Sequence, residues 1–475
     1  MRTQVFICSA VCIILAGCWS TDETQVAAPR NSSFTPDSAV SVEQVPSHRR
    51  FELLDTEHSG VDFHPKLAAN HQRRYLYHAG FFAGGVAIGD VDDDGLPHLF
   101  FAHGPRGNRL YKNTGGMRFE EITSPAGVGG GEAWGAGVAM IDIDNDRDLD
   151  IYVCNYNDPN QLYINNGRGL FEERAADFGI DIVDASLQPA FCDFDRDGDL
   201  DLYLLTYRLY HPRGGPSESP IEQVDGKLVV KEEYQKYFGI IDVGDGRPRL
   251  RPVGRPDRLL LNEGGRFTDV SQRAGIAGTG FGNSATWWDY NDDDWPDLYI
   301  GNELNDDDRL YRNNGDGTFT NTIAEAVPHS SWFSMGADVA DFDGDGRLDF
   351  LIADMSATTH FMQKTTMGAM GSSQREMERK RPHQYMRNAL YLSGADRFRE
   401  AAYLAGLADT DWTWAVKAAD FNNDGRCDVF FTNGMTRSFN DSDHRADPGS
   451  LARMTEWDAY ADAPIPRERQ PAELR

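Results

Sequence analysis

Apolar residues along this chain fall into short runs of strand length, and the runs pair up across stretches of acids and amides. The second run of each pair passes through Phe101, Val153, Leu204, Ile300, Ile352 and Phe431, as in Asp297-Leu298-Tyr299-Ile300. Short apolar runs bounded by Asp, Asn and Gly predict β-strands joined by turns rather than helices. The stretches between the paired strands are six copies of one loop. They read Asp90-Val91-Asp92-Asp93-Asp94-Gly95, Asp142-Ile143-Asp144-Asn145-Asp146-Arg147 and Asp193-Phe194-Asp195-Arg196-Asp197-Gly198, then Asp289-Tyr290-Asn291-Asp292-Asp293-Asp294, Asp341-Phe342-Asp343-Gly344-Asp345-Gly346 and Asp420-Phe421-Asn422-Asn423-Asp424-Gly425.

Carboxylates or amides stand at loop positions 1, 3 and 5, and a further acid at position 9: Asp150, Asp201, Asp297, Asp349 and Asp428. The first copy has His98 there. Position 7 (Leu96, Asp148, Asp199, Trp295, Arg347, Arg426) varies, as expected where only a backbone carbonyl is used. Ca²⁺ is a hard cation that takes six to eight oxygens, and this spacing wraps a short loop around one ion. The residues at positions 1, 3, 5 and 9 are therefore the candidate Ca²⁺ ligands, save His98. An EF-hand would need a bidentate Glu at position 12 between two helices. Position 12 here is apolar in all six copies and lies in a strand. The competing reading is a set of solvated Asp-rich turns, which six copies in register disfavour.

The repeat is larger than the loop. Leu110-Tyr111-Lys112-Asn113, Leu162-Tyr163-Ile164-Asn165, Leu259-Leu260-Leu261-Asn262, Leu310-Tyr311-Arg312-Asn313 and Leu390-Tyr391-Leu392-Ser393 follow the first five loops. Each leads through Gly residues to a Phe: Phe119, Phe171, Phe267, Phe319 and Phe398. A fixed period of about 40–50 residues means a propeller or an array, and four short strands per unit make a propeller blade. Loop starts are separated by 52, 51, 96, 52 and 79 residues, but each signature lies 30 to 32 residues before the next loop. The long intervals are thus insertions in one connection, at residues 205–256 and 355–387. The fold expected is all-β: a β-propeller of six repeat units. Phe51 precedes Gly60-Val61 as Phe119 precedes Gly127-Val128, so the N-terminal strand is expected to close the ring. No Leu-Tyr signature follows the sixth loop. Either residues 74–77 supply it, or a seventh blade is assembled irregularly.

Residues 1–18 read as a signal peptide, with Arg2 in the n-region and an apolar stretch from Val5 to Ala16, too short to span a membrane. Leu15-Ala16-Gly17-Cys18 resembles the bacterial lipoprotein signal, which implies a lipid on Cys18; an ordinary secretory signal is the alternative. Residues 19–48 are polar and read as a flexible tether, residues 49–440 as the propeller, and residues 441–475 as a charged tail. Cys154, Cys192 and Cys427 are odd in number and lack a CxxC, so buried thiols are expected rather than disulfides or zinc. A net charge of −29 makes nucleic acid an unsuitable partner.

The loops, with Phe281-Gly282 ahead of the fourth, resemble the FG-GAP/VCBS repeats of integrin α-subunit propellers and bacterial surface proteins. Leu310 to Phe319 and Thr432-Asn433-Gly434-Met435 look like the bacterial VCBS proteins that often carry an ASPIC/UnbV module. No such module is read after residue 440. The resemblance implies calcium binding and a binding or adhesion role toward a protein or glycan ligand, here at the bacterial cell envelope. Two other readings stay open. One is a sugar lyase or dehydratase-like enzyme using His211, Tyr234, Tyr237, His360, His383 and Tyr385, which lie in the inserts. The other is a structural envelope protein. Aromatics eight residues ahead of most loops (Phe82, Trp134, Phe281, Phe333, Trp412) are read first as packing between blades and second as a sugar-stacking ring.

Overall fold

The computed structural model describes residues 51–63, 71–73, 75–76 and 84–434, apart from 105, 213–215, 243–247, 277, 304–305, 365–380 and 395–396. Cys18, the tether, the tail and Phe82 lie outside the described residues.

Each repeat folds as an antiparallel meander. In the second unit the strands are Gly135–Ile141, Asp150–Pro159, Gln161–Asn165 and Phe171–Glu173, each hydrogen-bonded to the next. The first (Gly84–Gly89, His98–His103, Arg109–Asn113, Phe119–Glu121) and fourth (Gly282–Trp288, Asp297–Asn302, Arg309–Asn313, Phe319–Asn321) units match it strand for strand. The third (Val183–Cys192, Asp201–Thr206, Arg258–Asn262, Phe267–Asp269) and fifth (Ala337–Ala340, Asp349–Ile352, Ala389–Leu392, Arg399–Glu400) do so around their inserts. The sixth shows Asp411–Ala419 and Asp428–Asn433 among the described residues. The second strands of the third, fourth and fifth units are buried on both faces, which is why they read as unbroken apolar runs instead of alternating.

The core is made between units. One apolar cluster joins the first and second units through Phe100, Leu110, Ile151 and Tyr163. Similar clusters join the second to the third, the third to the fourth, the fourth to the fifth and the fifth to the sixth. First strands abut so closely that side chains are excluded at some points. A Cβ on Gly137 would sit 2.2 Å from Leu187 O, and one on Gly336 2.8 Å from Ala415 Cα. Gln188 and Ala285 exchange hydrogen bonds across the third and fourth units at 3.1 and 3.3 Å.

The N-terminal segment touches both ends of the series. Phe51 packs edge-on against Phe421 and Phe430 of the sixth unit, ring centroids 6.3 Å apart in each case. Farther along, Phe63 stacks on Phe101 at 4.8 Å and Tyr111 Oη donates to Asp62 at 2.8 Å, both in the first unit. Between them, Thr56–Ser59 is a helical turn ending on Gly60 with φ 73°, like the turns ending on Gly127, Gly179, Gly275 and Gly406. Tyr75 and Leu76 do not form the missing strand. They sit in a short helical turn, packed with Trp134, Tyr156 and Tyr207.

Both inserts interrupt the connection from second to third strand. The first carries the hairpins Ile221–Val224/Lys227–Val230 and Phe238–Asp242/Pro248–Pro252. The second runs Met355–Ser356 along Trp412 and Asp411, and His383–Tyr385 parallel to His329–Ser331. In a meander the first and second connections lie at opposite ends of the sheet. The acidic loops therefore occupy one end and the inserts the other. Cys154 is buried and Cys427 half-buried; burial raises both thiols, Cys427 to about 11. No helix of the described residues is long and apolar enough to cross a membrane.

Candidate cation-binding loops

All six loops fold on one hydrogen-bond template. The position 1 carboxylate accepts from the backbone N–H of position 6: Gly95, Arg147, Gly198, Asp294, Gly346 and Gly425, at 2.7 to 3.1 Å. The position 5 carboxylate accepts from the position 7 N–H at 2.9 or 3.0 Å in every copy. Positions 4 and 6 are left-handed throughout, whatever the residue: Arg147 has φ 79° and Asp294 φ 68°, beside Gly95 at 83° and Gly425 at 81°. The missing glycines of the second and fourth loops thus leave the path of the chain unchanged.

This template turns the carboxylates inward. Ligand atoms of Asp142, Asp144 and Asp146 lie within 4.8 Å of one another, as do those of Asp193, Asp195 and Asp197, of Asp341, Asp343 and Asp349, and of Asp90, Asp92, Asp94 and His98. Such acidic clusters can hold a metal ion. Asp142 Oδ1 is buried with no hydrogen-bond donor, as an oxygen awaiting a cation would be. Burial, then repulsion from Asp146 and Asp197 respectively, raises the pKa of Asp144 and Asp195. An arriving cation would relieve both causes. The fourth and sixth loops carry Asn291 and Asn422 at position 3 and share the template, with fewer charges.

The position 9 acids have a second task that the sequence did not reveal. Each accepts the backbone N–H of loop position 2, at 3.0 to 3.2 Å, for Asp150, Asp201, Asp297, Asp349 and Asp428. The first four also accept the N–H of the residue ending the third-strand signature: Asn165, Asn262, Asn313 and Ser393, at 2.7 or 2.8 Å. These carboxylates are buried at strand starts. Burial outweighs the N–H donors and pushes Asp150 to about 7, Asp201 to about 8 and Asp297 to about 7. In the fifth loop Asp349 joins the acidic cluster, while Arg347 pairs with Asp345 at 2.7 Å and lowers its pKa.

The signature Asn completes the joint. Its side-chain amide donates to the carbonyl of loop position 8: Asn113 to Pro97, Asn165 to Leu149, Asn262 to Leu200 and Asn313 to Pro296. Asn165 and Asn313 reach one unit back as well, to Val91 O at 2.8 Å and Phe194 O at 2.9 Å. The recurrence of Asn at a fixed place was the signal for this joint, but the cross-unit partners of Asn165 and Asn313 are not legible from spacing.

Three windows of the chain match a family profile described as FG-GAP-like repeat: residues 90–153, 142–204 and 289–352. Each runs from position 1 of one acidic loop to position 12 of the next. The chain carries FG-GAP-like repeats. The inserts fall outside the three repeat windows. Cartilage acidic protein 1 is similar to this chain: the mouse protein is 25% identical over 342 residues, 64% of this chain and 49% of the relative. The human protein is 24% identical over 343 residues, 64% and 48% of the two chains. The chain thus spans about half the length of the curated relatives it matches. Among solved structures, an Agrocybe aegerita lectin described as recognising non-reducing terminal N-acetylglucosamine is 14% identical with a TM-score of 0.30, covering 74% of this chain and 85% of its own. The V. cholerae biofilm matrix protein Bap1 is 14% identical with a TM-score of 0.32, covering 66% of this chain and 38% of its own.

At the opposite end of the FG-GAP-like repeats, Trp134 and Phe281 are buried under the start of the first insert, with Tyr207 and Tyr210 beside them. Both serve packing there. Phe333 and Trp412 pack at the fifth–sixth interface, partly buried. The insert residues weighed as catalytic do not meet in one place. His211 lies against Tyr234 and Tyr237, whereas Tyr385 lies against His329, and His360 is exposed on a helical turn. Sequence reasoning also missed a cleft of about 510 Å³ at the loop end, lined by Asp289, Asn291, Arg312, Glu325, Arg347 and Arg397.

Proposed function

We propose that this chain is a calcium-binding β-propeller, held at a bacterial membrane by a lipid on Cys18, that binds a protein or glycan ligand at the cell envelope. The observation that carries the reading is the common template of the six loops, with oxygen-only donors at positions 1, 3, 5 and 9 of the last five. Oxygens in that number suit Ca²⁺, and weak extracellular sites of this kind work at about 10⁻⁴–10⁻³ M. The six units close into a ring through residues 51–63; the packing of Phe51 on the sixth unit and of Phe63 on the first supports this. Closure removes the exposed sheet edges that would otherwise invite aggregation.

The ligand surface lies on the inserts. They expose Val224, Leu228, Phe361 and Tyr385, and loops held on a rigid scaffold are where binding residues concentrate. The reading is tested by thermal melts of the chelated chain with and without added Ca²⁺, followed by a glycan and envelope-protein array. Ca²⁺ is expected to raise the melting temperature, and removal of the hairpin 219–231 to abolish array binding with the melt unchanged. A melt indifferent to Ca²⁺ overturns the metal reading. Array binding that survives the deletion places the ligand elsewhere, with the cleft at the loop end next to be tested.

A further inference from the structure

The first loop departs from the other five where the ligand set closes. His98 stands at position 9, and its side chain is wholly buried. Its Nδ1 lies 2.7 Å from Leu96 O. A carbonyl only accepts, so Nδ1 carries the proton and donates. The other nitrogen, Nε2, then presents a lone pair. It has no hydrogen-bond partner and faces Asp92 Oδ1 at 3.5 Å, an oxygen equally buried and equally without a donor. Two buried acceptors turned on one another repel unless a cation lies between them.

From this we propose that the first loop is a Zn²⁺-type site formed by Asp90, Asp92, Asp94 and His98, not a calcium site. It rests on the reading of these loops as cation sites, and on nothing else in that reading. Three observations support it. A zinc ion about 2.0–2.2 Å from each of two tetrahedral ligands separates them by about 3.4 Å, close to the distance between His98 Nε2 and Asp92 Oδ1. Imidazole suits zinc and its neighbours, whereas Ca²⁺ prefers oxygen. Finally, an imidazole that ligates a metal almost always donates its second N–H to a carbonyl or carboxylate, as His98 does to Leu96.

Lys112 completes the charge balance. Its ammonium donates to Asp92 Oδ2, and to Asp94 Oδ2 at 3.0 Å. On Asp92 this is the oxygen other than Oδ1, which is left facing His98 Nε2. The other signatures have Ile164, Leu261, Arg312 and Leu392 at this place. Three carboxylates and one ammonium leave two negative charges, which one divalent ion neutralises. A full set of carboxylates without the lysine would favour the harder cation.

The experiment is a calorimetric titration of the chelated full-length chain with ZnCl₂ in a millimolar excess of CaCl₂, alongside His98→Ala and His98→Asp. One tight Zn²⁺ per chain is expected in the parent. His98→Ala is expected to weaken it at least tenfold, or about 1.4 kcal/mol. His98→Asp restores the acid that the other five loops have, so the fold should tolerate it. It is expected to lose the zinc and to bind one more Ca²⁺ than the parent. Co²⁺ loaded into the parent should give a visible absorption band that His98→Asp abolishes. Absence of tight zinc binding in the parent, or zinc binding unchanged in both variants, overturns the proposal and leaves His98 as a protonated partner of Asp92. Zinc binding by a chain that Ca²⁺ fails to stabilise refutes the calcium reading alone. Stabilisation by Ca²⁺ without zinc binding refutes this proposal alone.

Discussion

The backbone N–H of Asn165 donates to Asp150 Oδ1 at 2.8 Å, while the side-chain amide of the same Asn165 reaches Val91 O in the preceding unit at 2.8 Å. One residue therefore ties an acidic loop to its third strand and to the loop of the neighbouring unit. Truncation removes the side-chain donor to Val91 O, which is buried, and to Leu149 O, which is partly buried. Asn165→Ala is expected to destabilise by about 1–3 kcal/mol, whereas Asn166→Ala, at an exposed position one residue on, should change stability by less than about 0.5 kcal/mol. Urea melts of the two variants check this; equal effects would show that the inter-unit bonds contribute nothing.

The buried position 9 acids predict an unusual pH dependence. Burial places Asp150 near 7, Asp201 near 8 and Asp297 near 7, against about 3.9 in an unfolded chain. Between those limits the folded state holds more protons than the unfolded state, so stability falls as pH rises. In excess chelator the melting temperature should drop from about pH 5 to about pH 8. Added Ca²⁺ favours the ionised carboxylates and should flatten or reverse that slope. A chelated chain that grows more stable across this window contradicts the assignment.

The left-handed position 6 gives a stabilising pair of variants. Arg147 and Asp294 hold φ values of 79° and 68°, a region costing an ordinary residue about 1–2 kcal/mol. Arg147→Gly and Asp294→Gly should each raise stability by about 0.5–1 kcal/mol after the added freedom of the unfolded chain is counted. Gly425→Ala should lower it, through strain alone, because a Cβ there meets nothing within 4 Å. Chemical denaturation of the three variants in Ca²⁺ separates strain from metal affinity.

Calcium affinity should be ranked by free carboxylates. The third and fifth loops have four acids and Gly at position 6, and in the fifth Arg347 engages Asp345; the first has three acids, and Lys112 engages both Asp92 and Asp94. Asp343→Ala is expected to reduce the calcium bound at millimolar Ca²⁺ more than Asp92→Ala does. Equilibrium dialysis of both variants decides the order.

The anchor is tested by Cys18→Ser. The protein should move from the membrane fraction to the soluble fraction of an expressing bacterium, with its melting curve unchanged. Retention in the membrane fraction would remove the lipid from the proposal.

Much of this protein is written locally. A strand pair and its acidic turn involve residues close in sequence, so six loops, their strands and the insert sites could be read from spacing alone, and the structure has them there. The same holds for the apolar position 12, which excluded an EF-hand before any fold was known. What spacing does not encode is which groups meet across units. The Asn of the first four signatures recurs visibly, but the bond that Asn165 and Asn313 each make to a loop one unit back depends on how the sheets stack. The role of position 9 changed for the same reason: an acid that spacing assigned to a metal also accepts two backbone N–H groups, because the strand it begins is buried between neighbouring sheets. Trp134 and Phe281 looked equally suited to a sugar platform or to packing, and only the first insert, folding over them, decided it. His98 read as a missing acid. Its buried lone pair, facing Asp92, comes from the loop and strand geometry that places His98 Nε2 and Asp92 Oδ1 out of reach of water.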